Sequence, residues 1–164
     1  MLILGSFPST ASLAAQQYYA HPQNQFWRVL GAVIGQPLKE MPYAARLLAV
    51  HAAGIAIWDI YGSCDRTGSL DSAIRGAVKN DFHSLRRRAP QLARVCFNGR
   101  TAAKRLREMQ TLGYEAVVLP STSPAHAGMR FEEKLARWRV GLFSDSPGRH
   151  KESTQAPSDS SRSC

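Results

Sequence analysis

Residues 2–30 read LILGSFPSTASLAAQQYYAHPQNQFWRVL, and the rest of the chain follows from how residue types are ordered here. Leu2, Ile3 and Leu4 form a short apolar run that Gly5 ends, and Ser6-Phe7-Pro8-Ser9 follows as a small, turn-forming loop. A run of that kind is a buried strand delivering a backbone loop to the edge of a sheet. A dense cluster comes next: Tyr18, Tyr19, His21, Pro22, Asn24, Phe26 and Trp27. Taken singly, each reads as a core aromatic, a satisfied histidine or a helix cap. Grouped directly behind a strand and its loop, they read as a flat pocket with a few convergent polar groups.

The strand-then-loop pattern recurs. Residues 55–58, 94–97 and 116–119 are short apolar runs, each followed by small or polar residues. Between them the spacing predicts helices: 25–34, ended by Gly35; 42–51, with Pro42 in its first turn; a short one over 70–77 after a loop at 61–69; and 81–88 behind an Asn80-Asp81 cap. A basic helix capped by Thr101 and ended by Gly113 follows, then a last amphipathic one over 131–143. Four apolar strands alternating with helices predict an α/β fold, a three-layer α/β/α sandwich with a central four-stranded parallel sheet. Ligands of such sheets bind beyond the carboxyl ends of the strands, where the small and polar segments fall. Beyond residue 143 the chain is Ser, Pro and charge without apolar periodicity. The domain is therefore expected over 1–143 and a disordered tail over 144–164.

The chain has 164 residues, 44% of them apolar, which suits one domain with a real core. Lys plus Arg number 21 against 12 acids, for a net charge of +9, and residues 144–164 carry no net charge. The excess sits on the domain and predicts a polyanionic partner, nucleic acid before an anionic membrane surface, since no basic helix carries an apolar anchoring face. Cys64, Cys96 and Cys164 are too few and too scattered for a disulfide framework, a zinc ribbon or a four-cysteine iron–sulfur cluster. No metal, no cofactor and a reduced, cytoplasmic setting are expected. Neither a signal peptide nor a span long enough for a bilayer is visible.

Two strings, GSFPS at 5–9 and QYYAHPQNQFW at 17–27, resemble the amino-terminal motif of the uracil-DNA glycosylase superfamily, and within it the hypoxanthine-DNA (deoxyinosine) glycosylase group. The second motif of that group, LPSTSPA followed by Asn or His, is matched by LPSTSPAH at 119–126. The resemblance spans roughly residues 1–143. It implies a monofunctional, monomeric enzyme of base excision repair that hydrolyses the N-glycosidic bond of deaminated bases in damaged double-stranded DNA, hypoxanthine first. Members usually carry residues before their first strand, so an upstream start or a clipped strand is expected here.

The resemblance also implies roles. Asn24 is the catalytic polar residue, although by its position it also reads as a cap for the following helix. Gly5, Ser6 and Phe7 belong to the base-binding loop, Tyr19 stacks on the flipped base with Tyr18 as its alternate, and His21 either bonds that loop or is a satisfied histidine. Ser9 and Ser123 face phosphates, and Gly128, Met129 and Arg130 form the wedge entering the duplex. Two departures stand out. Where uracil glycosylases place Asp and mismatch glycosylases Asn, this chain has Phe7, so the usual water-activating group is missing. Where uracil glycosylases begin the second motif with histidine, it has Ser121; His126 either partly replaces that histidine or faces a phosphate. With no lysine in either motif, a Schiff-base lyase is not expected. The competing readings are a mismatch-type uracil or xanthine glycosylase and a catalytically impaired DNA-binding relative. Free-nucleoside hydrolysis, which needs acidic strand-end ligands, has only Asp59 and Asp65 to draw on.

Overall fold

Alternation along two strands places the core. In the computed structural model, which describes residues 1–126 and 128–143, Ile3 and Cys96 point into one apolar cluster, whereas Leu2, Leu4, Val95 and Phe97 point into another. A strand with both faces buried belongs to the centre of a covered sheet. The sheet has the order β2-β1-β5-β6, all parallel, with β1 (Leu2–Gly5), β2 (Ala56–Asp59), β5 (Arg94–Asn98) and β6 (Glu115–Leu119). On one face Phe26, Leu30, Trp138 and Leu142 come from α2 (Phe26–Ile34) and α6 (Phe131–Phe143). Phe82, Met109 and Tyr114 cover the other, with α4 (Leu85–Arg88) and α5 (Leu106–Thr111). The three-layer expectation holds, and Cys96 is the buried small hydrophobe its apolar run implies.

The connections explain where a ligand can sit. From β1 the chain runs through α1 (Thr10–Ala15), α2 and α3 (Tyr43–Ala52) to β2 on one side, while β5 connects to β6 on the other. Neighbouring strands whose connections leave in opposite directions open a crevice at their carboxyl ends. That switch point lies between β1 and β5.

Three expectations change. Residues 61–69 are not simply loop: Tyr61–Asp65 forms β3, antiparallel to β4 (Arg75–Lys79). Only a 3-10 turn, Asp71–Ala73, lies where a short helix over 70–77 was expected. That segment buries no residue fully, so a helix there would have no stripe to pack, and Gly76 takes a left-handed φ of 54° at the register shift between the Ser63–Val78 and Asp65–Arg75 pairs. The Thr101 side chain caps nothing; its helix starts as a 3-10 turn, Ala102–Arg105, before α5. Asp81 Oδ1 accepts from the His83 and Ser84 amides at 3.0 and 3.3 Å, closing the turn ahead of α4 and not capping a helix from residue 81: α4 starts at Leu85 with no side-chain cap.

β1 pairs along all four of its residues with β2. Residues 144–164, expected as a tail, lie outside the described residues. Among the described residues no helix is long and apolar enough to cross a membrane.

Candidate active site

Loops from all four parallel strands, joined by the tip of the β3–β4 hairpin, enclose a cavity of about 290 Å³ at the carboxyl edge of the sheet. The loop after β1 supplies Gly5, Ser6, Phe7 and Ser9. Ser9 also caps α1, its Oγ accepting from the Ser12 amide at 3.1 Å. Gly5 is required here. A Cβ at this position would collide with Asp59 Oδ1 and stand 2.9 Å from the Tyr19 hydroxyl, so both polar groups lie directly over its Cα.

Tyr19 is held in the left-handed region at φ 53°, an uncommon state for a bulky residue that the surrounding packing has to enforce. Its ring stacks on Phe26 with centroids 3.7 Å apart, and Phe26 meets Trp138 edge-on. The hydroxyl is buried and meets no hydrogen-bond geometry. Burial, and then the Asp59 charge, push its ionisation well above the ordinary tyrosine range; the Asn98 carboxamide opposes them without reaching bonding geometry. Asp59, at the end of β2, is 7% exposed. Burial first, then the charge of Asp71, raise its carboxyl to about 7, against the opposing pull of Arg66.

Asn24 fits the capping reading and also lines the cavity. Its Oδ1 accepts from the Phe26 amide at 2.9 Å, the capping role, while its Nδ2 has no hydrogen bond among the described residues and the side chain lines the cavity. Opposite it stands the second-motif loop. Asn98 latches that loop to β5: its Oδ1 accepts from the Thr122 amide at 3.0 Å, and its Nδ2 donates to Thr122 Oγ1 at 2.9 Å. Thr122 is fully buried, and its carbonyl accepts from the Gln25 amide at 3.0 Å, which joins the two motif loops. From below, Trp138 Nε1 donates to the Pro120 carbonyl at 2.9 Å and the buried Lys134 ammonium to Gln25 Oε1 at 2.7 Å. Gly99, at φ 98°, lets Ser121 pass close by: a Cβ there would stand 2.9 Å from the serine's.

Of the residues singled out from the sequence, Asn24, Ser121, His126, Gly5, Ser6, Phe7, Tyr19, Ser9 and Ser123 line one cavity, and so does Tyr18. The Ser121 and Ser123 hydroxyls accept from the Ser123 and Ala125 amides at 3.2 and 3.3 Å, holding the loop's own turn. His21 does not reach the cavity wall; its Nδ1 closes a local turn by accepting from the Gln23 amide at 3.2 Å. Gly128 and Met129 line a separate, more open groove between β6 and α6, bordered also by Ser121 and His126, and Arg130 is exposed beside it. Sequence reasoning missed Asn98, Thr122 and Asp71 as site residues, and gave Asp59 only a minor part. Asp71 comes from the hairpin tip, where its Oδ1 accepts from Ser6 Oγ at 2.6 Å. Thr10 and Ser69 tie the same tip to the start of α1 at 3.0 and 3.1 Å, and Arg66 donates to the Pro8 carbonyl.

A polar, Gly-based cavity closed by two motif loops is a place to hold a small planar ring among hydrogen-bonding groups. Comparison with known proteins agrees with that geometry. Residues 1–155 match the family model described as the uracil DNA glycosylase superfamily. The chain is similar to the hypoxanthine DNA glycosylase of Methanosarcina acetivorans, with 43% identity over 77% of this chain and 80% of the relative. It is similar also to that of Methanosarcina barkeri, with 39% identity over the same shares. A solution NMR structure of a candidate uracil DNA glycosylase from Methanosarcina acetivorans superposes with a TM-score of 0.74 at 41% identity, covering 84% of this chain and 88% of that one. With motif loops, sheet topology and relatives in agreement over most of its length, the chain belongs to the uracil-DNA glycosylase superfamily.

Proposed function

We propose that this DNA glycosylase excises hypoxanthine from deoxyinosine in damaged double-stranded DNA, acting as a monomer in the cytoplasm at the first step of base excision repair. The observation that carries the reading is Asn24: it lines the cavity while its carboxamide oxygen is fixed by the Phe26 amide at the start of α2, and its nitrogen makes no hydrogen bond among the described residues. A donor held in place before the substrate arrives stabilises charge that develops only in the transition state. The cavity, near the lower end of the range for ligand pockets, about 300 Å³, suits one flipped base. Breaking the bond from base to C1′ builds oxocarbenium character on the sugar and negative charge on the base, which the polar wall receives.

No lysine is among the residues lining this cavity, in keeping with hydrolysis without a Schiff base. Phe7 puts a ring, not a carboxylate, in the first-motif loop, which favours deaminated purines over uracil. The names of the two Methanosarcina relatives support the same substrate.

The test is a nicking assay on a labelled duplex containing one deoxyinosine, with alkali to cleave abasic sites and the Asn24→Ala protein alongside. A strong product band lost in the variant supports both the reaction and the asparagine's role. Product retained in the variant keeps the glycosylase and removes Asn24 from catalysis. Deoxyinosine, xanthine and uracil duplexes that stay intact but bound identify an inactive binding module instead.

A further inference from the structure

Hydrolysis at C1′ needs a group that takes a proton from the attacking water, and the acids and bases on this cavity's wall are few. Asp59, Asp71 and His126 are the carboxyl and imidazole groups that line it. His126 lies at the exposed rim, on the last residue of a short 3-10 turn. Asp59 lies at the floor, almost fully buried against Gly5 and Tyr19. Asp71 stands between these extremes, half-buried, with Oδ1 fixed by the Ser6 hydroxyl at 2.6 Å and Oδ2 accepting no hydrogen bond among the described residues.

A second observation marks the space as built for a polar occupant. The Tyr19 hydroxyl is buried in the same wall, beside Asp59, with no hydrogen bond among the described residues. Buried polar groups are seldom left so, and a water or ligand atom is the usual partner. We infer that Asp71, brought to the site by the β3–β4 hairpin and belonging to neither motif, holds the attacking water and accepts its proton. The assignment rests on the glycosylase reading above.

In the step this implies, the water oxygen bonds to C1′ as the bond from C1′ to the purine N9 breaks, its electron pair leaving with the base. One water proton passes to Asp71 Oδ2, and the departing purine takes up a proton from solvent. Asp71 then returns its proton to solvent. The Ser6 hydroxyl fixes one oxygen of that carboxylate at the cavity wall. Asp59, the deeper carboxyl, is raised to about 7, by burial first and then by the charge of Asp71.

Single-turnover cleavage of the deoxyinosine duplex by wild type, Asp71→Asn and Asp71→Glu tests the assignment. The asparagine variant should lose roughly 100-fold or more in rate, the scale of a positioned base. It should also lose the acid limb of the pH–rate profile while binding a duplex with slowly hydrolysed 2′-fluoro-2′-deoxyinosine as wild type does. The glutamate variant should recover part of the rate and regain the limb. A wild-type rate in Asp71→Asn overturns the assignment and leaves the glycosylase reading standing. So does a loss shared equally by rate and binding with the acid limb intact, which would reduce Asp71 to a tie for the hairpin. If wild type releases no base from deoxyinosine, xanthine or uracil duplexes, the glycosylase reading falls and this assignment falls with it.

Discussion

Asp59 is a carboxyl the fold keeps at a cost, and that cost has a pH signature. Its folded value of about 7 lies above the ordinary 3.8, so the native state holds a proton that the unfolded chain releases. The associated stability is fully present below the unfolded value and is lost as pH rises through about 7. Burial drives the shift, the charges of Asp71 and Arg66 pull in opposite directions, and the Tyr19 hydroxyl faces the same group. Asp59→Asn removes the ionisation, so at pH 8 it should be the more stable protein, by at most about 4 kcal/mol for a shift of roughly three units. The advantage should vanish in acid below the unfolded value. Denaturant unfolding at both pH values reads the difference, and equal stability at pH 8 would mean that burial does not raise the Asp59 carboxyl.

Asn24 allows a cleaner separation on the same scale. Asn24→Asp keeps the acceptor for the Phe26 amide and removes the donor, so its stability should stay within about 0.5 kcal/mol while excision slows by roughly 100- to 1,000-fold. Asn24→Ala loses both, at a further cost of about 1 kcal/mol.

Among the elements, the four parallel strands were legible because each is a short apolar run closed by Gly, Asp, Asn or Pro, and the two central ones, β1 and β5, are buried on both faces. The motif loops were legible as loops, and most of their singled-out residues share one cavity. The hairpin was not. Neither β3 nor β4 buries any residue fully, so no alternation of apolar and polar residues announces them. What holds them is a ladder and side-chain contacts distant in sequence, such as Asn80 Nδ2 donating to the Asp59 carbonyl at 2.9 Å. Asp71 went unnoticed for that reason, and Asn98 because an Asn-Gly pair reads as a turn whichever way its side chain faces. The Asn98 latch is the more sensitive element. Replacing it by Ala leaves the Thr122 amide and hydroxyl buried without partners, which should cost about 2–4 kcal/mol. Faster hydrogen exchange over residues 120–126, beyond what the lower global stability explains, would locate the damage in the second-motif loop. A loss spread evenly over the sheet would mean that Asn98 supports the core and not that loop.

At the scale of the whole molecule, the question is where a net charge of +9 meets DNA. The conspicuous basic runs are partly committed elsewhere. Arg86 donates to the Leu112 carbonyl from Nε and Nη2 and lies over the Tyr114 ring, Arg88 lies over Trp58, and Arg105 is paired with Glu108 at 3.8 Å. They belong to helices on one face of the sheet, whereas the cavity opens at its carboxyl edge. Arg100, after the Asn98-Gly99 turn, and Arg130, after the second-motif loop, are exposed cations on the loops beyond β5 and β6. A duplex presenting a flipped base must run past the cavity mouth, so its phosphates should be met there. Binding should then weaken with salt in proportion to the few contacts made, by roughly 10- to 150-fold between about 50 and 200 mM for two to four phosphates. Arg100→Glu and Arg130→Glu should each lower affinity for undamaged and deoxyinosine duplexes alike and flatten the slope of log affinity against log salt by about one contact. Arg87→Glu, on the four-residue helix α4, should do neither. Fluorescence anisotropy over a salt series measures all three, and a slope altered by Arg87→Glu but not by Arg100→Glu would move the DNA path from the strand-end edge to the helical face.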